Sequence, residues 1–170
     1  MARRTQSSDT SFKLDDYDLG QFSLMRPTRL GAKRLAIDLV KIDPWRTLQI
    51  DQLKLAASLI DPDKHLHRWL IHAQGTIGGA VAIRHPWLYG PYLALLAVMP
   101  DRQGQGIGAA VLRWMEREVA GKASNLWVCV SSFNTRARAF YANNGFVQSG
   151  HLDDLIAPGH AELLLRKRLR

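Results

Sequence analysis

Cysteine is almost absent from this chain of 170 residues, with Cys129 the only one. A disulfide framework and a cysteine-based zinc cluster are therefore excluded. No window approaches the run of about 20 apolar residues that crosses a bilayer, and no membrane partner is expected. Arg3 and Arg4 stand near the start, but no apolar stretch follows them, so residues 1–21 do not read as a secretory signal. Internal repeats and low-complexity segments are lacking as well. A hydrophobic content of 46% suits a single buried core. The expectation is one cytoplasmic domain over residues 21–170, preceded by a polar, mobile tail over 1–20.

Acidic residues are in deficit. The 23 Lys and Arg against 15 Asp and Glu leave a formal charge of +8, which attracts polyanions. The excess concentrates in 21–60, at +4, and in 161–170, at +3. No zinc, helix-turn-helix or aromatic RNA-binding signature accompanies it, so nucleic acid is an unlikely partner.

Periodicity orders the chain. Phe22 to Met25 reads as a strand stopped by Pro27, and residues 29–41 have helical spacing. Asp43-Pro44 predicts the start of a second helix, about Trp45 to Ile60, with Leu48, Leu53, Leu55, Ala56 and Leu59 inward. His65 to Ala73 and Thr76 to Arg84 form a hairpin across Gln74-Gly75. Tyr92 to Met99 is a buried strand, followed by a helix over about 106–120 whose inner stripe is Ile107, Val111, Met115 and Val119. Asn125 to Val130 is a further strand, Thr135 to Asn143 a short helix, and 146–149 and 161–165 two last strands. The fold class is α+β, with a mixed, mostly antiparallel sheet.

The sharpest motif is the glycine turn between the buried strand and the helix after it. Gly104, Gly106 and Gly108 leave the backbone open to close approach, and the helix's positive end faces the same way. Glycines can also serve only to make a tight turn. A P-loop is excluded, since no lysine follows Gly108. A dinucleotide fingerprint is excluded too, because the spacing is G-x-G-x-G with no acid in Ser124 to Val130.

Gln103-Gly104-Gln105-Gly106-Ile107-Gly108 matches the pyrophosphate motif [QR]-x-x-G-x-[GA] of the GCN5-related N-acetyltransferases. Downstream, Asn134 through Ala137, Phe140, Tyr141, Gly145 and Phe146 follow that family's N-x-x-A-x-x-F-Y-x-x-x-G-F pattern. The chain thus resembles this family, specifically over about 90–148 and loosely over 22–168. The similarity is greatest to bacterial members that acetylate protein N-termini or small amines. The resemblance implies a sheet splayed around an acetyl-CoA site with helices on both faces, no metal, and transfer of acetyl to an amine. It implies that amides around Leu96, Ala97 and Val98 bind the pantetheine. Amides from Gln103 to Ala109 (Gln103, Gly104, Gln105, Gly106, Ile107, Gly108 and Ala109) would take the pyrophosphate. Asn134 would bond the cofactor arm. Tyr141 would return a proton to the leaving sulfur, an acid's role that suits an ordinary tyrosine pKa near 10.

The general base departs from the family pattern. Tyr92 to Val98 contains no acid, and Cys129 stands where similar N-terminal acetyltransferases carry glutamate. Cys129 reads as a small buried packing residue, or as a base or nucleophile. His72, His85, His160, Asp153, Asp154 and relayed water stay open as alternatives. Trp45 lines a pocket or packs in the core. The +4 charge of 21–60 disfavours polycationic acceptors and suits a neutral or acidic amine or a peptide N-terminus. An acyl-CoA-binding module without catalysis is the second reading. A homodimer is common in the family.

Overall fold

Paired left-handed residues make the tight turns at the centre of the sheet. A computed structural model describes residues 9–169. Strands β3 (Leu66–Ala73) and β4 (Thr76–Trp87) meet at Gln74-Gly75, with φ of 52° and 76°. Strands β4 and β5 (Gly90–Val98) meet at Leu88-Tyr89, with φ of 28° and 58°. Positive φ at both central residues is what a two-residue hairpin turn with the sheet's own twist demands. Around these lie β1 (Tyr17–Asp18), β2 (Phe22–Met25), β6 (Asn125–Ser131), β7 (Val147–Asp153) and β8 (Ala161–Arg168). The sheet order is β1-β2-β3-β4-β5-β6-β8-β7. Every neighbouring pair is antiparallel except β5 with β6.

Helices cover both faces, as expected. On one face α1 (Arg29–Leu39) and α2 (Gln52–Ser58) bury Leu35, Leu39, Leu55 and Leu59 against Leu70, Ala80 and Ala97. On the other, α3 (Ile107–Glu118) sets Ile107, Val111, Trp114 and Met115 against Trp69, Ile71, Val81, Ile83 and Leu93. The short α4 (Thr135–Asn143) joins that second, larger core through Tyr141. No helix among the described residues is long and apolar enough to cross a membrane.

Two expectations need correction. The second helix starts at Gln52, not Trp45. Asp43 spends its carboxylate on the Thr47 hydroxyl at 2.7 Å and the Arg46 guanidinium at 2.8 Å. Gln49 is left-handed at φ 51°, which interrupts any helical path through it. Asp51 is the actual cap, accepting from the Lys54 amide at 2.8 Å. Rephased from Gln52, Leu55 and Leu59 share the inner face, while Leu53 is 69% exposed instead of inward.

The tail also ends earlier than residue 20. Residues before 9 lie outside the described ones, but from Ser11 the chain is packed. The Ser11 hydroxyl donates to the Glu118 carbonyl at 2.7 Å, and the Phe12 amide donates to the Glu118 carboxylate at 2.9 Å. Phe12 and Tyr17 meet Trp114 edge-on, at 5.4 and 4.8 Å between ring centroids, a favoured aromatic geometry. Two isolated aromatics in a polar stretch leave no periodicity to read. Phe12 is fully buried, so Phe12→Ala should cost roughly 3–5 kcal/mol in urea denaturation. A tail residue would cost next to nothing.

Candidate active site

Strands β5 and β6 are pinned together at one end and part at the other. At the pinned end the Ser124 amide donates to the Tyr89 carbonyl at 3.2 Å. A Cβ on Gly90 would run into the Asn125 carbonyl, so the chains approach there only because that side chain is missing. Ladder pairing is confined to Tyr92 with Trp127 and Leu93 with Val128. On the β4 side the register slips, with Ile83 facing Leu93 and Ala82 facing Leu95. Ala94 is the extra residue of a bulge, which bends and twists its strand. Beyond it, Leu95 to Val98 keep pairing with β4, while their other edge faces the opening toward β6. An unpaired strand edge offers amide donors and acceptors to an extended ligand.

The glycine loop closes the wide end of this opening. A 3₁₀ turn at Pro100–Arg102 follows β5, and the Gln103 side chain donates back to the Val98 carbonyl at 2.8 Å. Gln103 thus clamps the loop to the strand. Gly104 and Gly106 have φ of 80° and 81°, and a Cβ on either would meet nothing within 4 Å. Their glycine requirement is one of backbone handedness, and the space beside them is open. Gly108 is different: a Cβ there would sit 2.8 Å from Phe140 Cζ, so its bareness lets α3 pack on α4. Gly106 is the N-cap of α3, and among the described residues no side chain caps this helix end. The leading amides of Ile107, Gly108 and Ala109 are available to an anion on the helix's positive end.

Helix α4 brings the second motif to the same opening. Asn134 is its N-cap, its side-chain carbonyl accepting from the Ala137 amide at 3.1 Å. That leaves the side-chain NH2 as the group able to donate to a ligand. Tyr141 is buried and lies edge-on to Phe140 and Phe146 at 5.1 and 5.5 Å. Burial pushes its phenol well above the usual tyrosine range, so it stays protonated across physiological pH. Of the strand residues, Leu96 and Val98 pack toward the larger core and Ala97 toward α1 and α2.

The face of the opening away from α3 holds a polar group that sequence reasoning missed. Ser131 lies opposite Glu162, and its hydroxyl donates to the Glu162 carboxylate at 2.5 Å. Cys129, two residues earlier, projects on the same side and meets the Tyr92 side chain. Glu162 is only 2% exposed and Ser131 4%. Burial raises the Glu162 carboxyl above the usual glutamate range, and the Ser131 hydroxyl partly opposes that shift. Glu162 sits in an apolar strand far along the chain, and only the β6–β8 register brings it here. Its one signal was a lone acid in a strand that is otherwise apolar up to Leu165.

The earlier base candidates fare unevenly. Cys129 is half-buried, and burial raises its thiol pKa, which works against thiolate chemistry. His72 lies on β3 opposite Ser23, three strands from β6. His85 is bound to Asp9 at 2.6 Å and packs on Phe12. Asp153 pairs with His151, and Asp154 accepts from the Gly159 amide. Only His160 stays near, edge-on to Phe133 and acting on Glu162. A groove of about 460 Å³ lies along α4, lined by Arg138, Ala142, Gln148 and Leu165 among others. Of the second motif it touches Phe146 but neither Asn134 nor Tyr141. No cluster of three or more potential metal ligands occurs among the described residues.

A splayed parallel pair, an uncapped glycine-rich helix start and an inward tyrosine define an acyl-CoA-dependent transferase. Residues 34–146 match the Acetyltransferase (GNAT) family model, and the chain belongs to this family of acetyl-CoA-dependent N-acetyltransferases. No curated protein matches the chain significantly. Among solved structures it is similar to the microcin C7 self-immunity acetyltransferase MccE in complex with acetyl-CoA and AMP. The two share 16% identity and a TM-score of 0.70, over 95% of this chain and 100% of the other. It is similar to the ribosomal-protein-S18-alanine N-acetyltransferase of Escherichia coli, at 17% identity and TM-score 0.64, over 86% and 93% of the two chains. It also resembles the spermidine N-acetyltransferase SpeG of Vibrio cholerae, at 16% identity and TM-score 0.62, over 87% and 94%. At these identities the likeness is one of fold.

The contact between Gly108 and Phe140 generates a prediction. Gly108→Ala should weaken acetyl-CoA binding in calorimetry by pushing α4 away. Adding Phe140→Leu should restore part of the loss, a coupling of the kind seen between touching residues, about 0.5–3 kcal/mol. Additive losses would mean that the two positions act separately.

Proposed function

We propose that this chain moves acetyl from acetyl-CoA to a primary amine by direct attack on the thioester in a ternary complex. The observation that carries the reading is the opening between β5 and β6, with the uncapped α3 N-terminus at its mouth and α4, which carries Tyr141, packed on α3 through Phe140 and Gly108. Acetyl-CoA supplies an acyl carbon already activated by its sulfur. The residues present fit such a molecule, because the loop offers open space beside Gly104 and Gly106 and amides without side-chain caps.

Each part then has a task. Amides of Gln103 to Ala109, centred on Ile107, Gly108 and Ala109, hold the pyrophosphate, with helix α3 contributing its positive end. The open edge of β5 from Leu96 to Val98 aligns the pantetheine as an added strand would be aligned, and Asn134 donates to it. Backbone amides past the Ala94 bulge polarise the acyl oxygen, where negative charge develops in the transition state. Tyr141 keeps its proton until the sulfur leaves, then donates it.

The acceptor is a small amine or the amino terminus of a peptide or protein. Solved relatives of this fold are described as acting on a ribosomal-protein alanine and on spermidine. The positive charge of residues 21–60, which include α1 and α2, supports a neutral or acidic acceptor over a polycation. No acid lies on β5 at Tyr92 to Val98, and Cys129 occupies the expected glutamate position; these two facts support the alternative of a silent acyl-CoA binder.

Calorimetry with acetyl-CoA and thiol release across amines and peptides separate these readings. Binding with release supports the enzyme, binding alone the silent module, and no binding removes both. Tyr141→Phe should lower kcat about 10²-fold or more while the acetyl-CoA Kd stays unchanged. Unchanged turnover would remove Tyr141 from the acid role.

A further inference from the structure

Resting on that reading, we propose that Glu162 is the terminal acceptor of the acceptor amine's proton, reached through the hydroxyl of Ser131. The geometry has three parts. Ser131 ends β6 where that strand has parted from β5, which places it beside the opening past the Ala94 bulge. Its hydroxyl is already aligned on a Glu162 oxygen at 2.5 Å. Both side chains are almost closed to solvent, so a proton passes from the hydroxyl to the carboxylate with no water between them.

The groups facing Glu162 are few. They are Cys129 and Ser131 on β6, Tyr92 on β5 and His160 just before β8, with apolar Leu152 opposite on β7. No Lys or Arg is within ion-pair distance of Glu162 among the described residues. An ion-paired carboxylate would be a poor base, whereas one held by a single neutral hydroxyl keeps its basicity. Burial shifts Glu162 in the same direction, toward the pH range where a base works best.

Protons balance over the cycle. The bound ammonium gives one proton to the Ser131 oxygen as that hydroxyl's own proton passes to the carboxylate. The neutral nitrogen then forms its bond to the acyl carbon. When the C–S bond breaks, the sulfur takes the Tyr141 proton, and the second nitrogen proton restores the phenol. Glu162 finally releases one proton to solvent. The motif tyrosine and the β8 glutamate therefore divide the acid and base tasks, and Cys129 needs no chemical role. Ser131 and Glu162 act here as a positioned relay.

The test is the pH dependence of kcat at saturating substrates, which reports groups in the bound complex. In the wild type, activity should fall on the acid side as Glu162 protonates. Glu162→Gln should abolish that limb and lower kcat about 10²-fold, typical of removing a general base, with acetyl-CoA affinity unchanged. Ser131→Ala breaks the relay and should lower kcat by a similar factor. The activity left, carried by a water in place of the hydroxyl, should show its limb at higher pH, because the bond that lowers the carboxyl's pKa is gone. A Glu162→Gln variant retaining both limb and turnover overturns the proposal. Should that variant not fold, an unmoved limb in Ser131→Ala overturns it and an upward shift supports it. A wild type that binds acetyl-CoA but acetylates no amine contradicts the transferase reading instead, which an active enzyme with an unchanged limb would leave standing.

Discussion

The parting of two parallel strands organises this molecule. A sheet normally saturates its backbone groups through its neighbours, and β5 does so with β4 along nearly its whole length. With β6 it does so at two positions only. The close approach at Gly90 and the Tyr89–Ser124 bond hold the strands at the narrow end, and the bulge at Ala94 turns β5 away at the other. From Leu95 onward the edge of β5 that faces β6 has no strand partner. The proposed ligand, made of amide-linked segments, would pair with this edge as a strand does.

What surrounds the fork keeps it open. The two cores lie on opposite faces and are filled independently, one by α1 and α2 and the other by α3 with the aromatic group of Trp69, Trp114, Tyr17 and Phe12. The larger core runs beneath the opening, joining Leu93, Leu96 and Val98 of β5 to Leu126, Val128 and Val130 of β6 on one face only. The Gln103 clamp and the contact between Gly108 and Phe140 then fix how the loop and two helices meet at its mouth. Preorganisation of this kind matters because amides already aimed at an anion lose little freedom when it arrives.

Local chemistry made most of this legible in the sequence. Gln74-Gly75 marked its hairpin, Asn134 its helix cap, and the alternating glycines their strand-to-helix turn, because each acts through residues a few positions away. The same locality explains the misses. Asp43-Pro44 looks like a helix start, yet a left-handed Gln49 intervenes and Asp51 caps instead. Phe12 and Tyr17 lie in a polar stretch and are buried only because Trp114, about a hundred residues away, offers them a ring face. Leu88-Tyr89 turns without glycine or asparagine, and nothing in the pair announces positive φ.

The site divides along the same line. The half proposed to bind an anion is local, one loop and one helix end, and its geometry could be read from spacing. Its proposed proton-accepting half is assembled by strand register, which sets Ser131 of β6 opposite Glu162 of β8. A strand that slipped by one residue would turn Glu162 to the other face, into the core beside Leu163 and Leu165. Burying an unpaired carboxylate there would cost far more than any strand propensity could offset. The apolar residues on either side of Glu162 therefore do more than fill the core. By holding the register, they fix which face of the sheet carries the acid, and so place it beside the open fork.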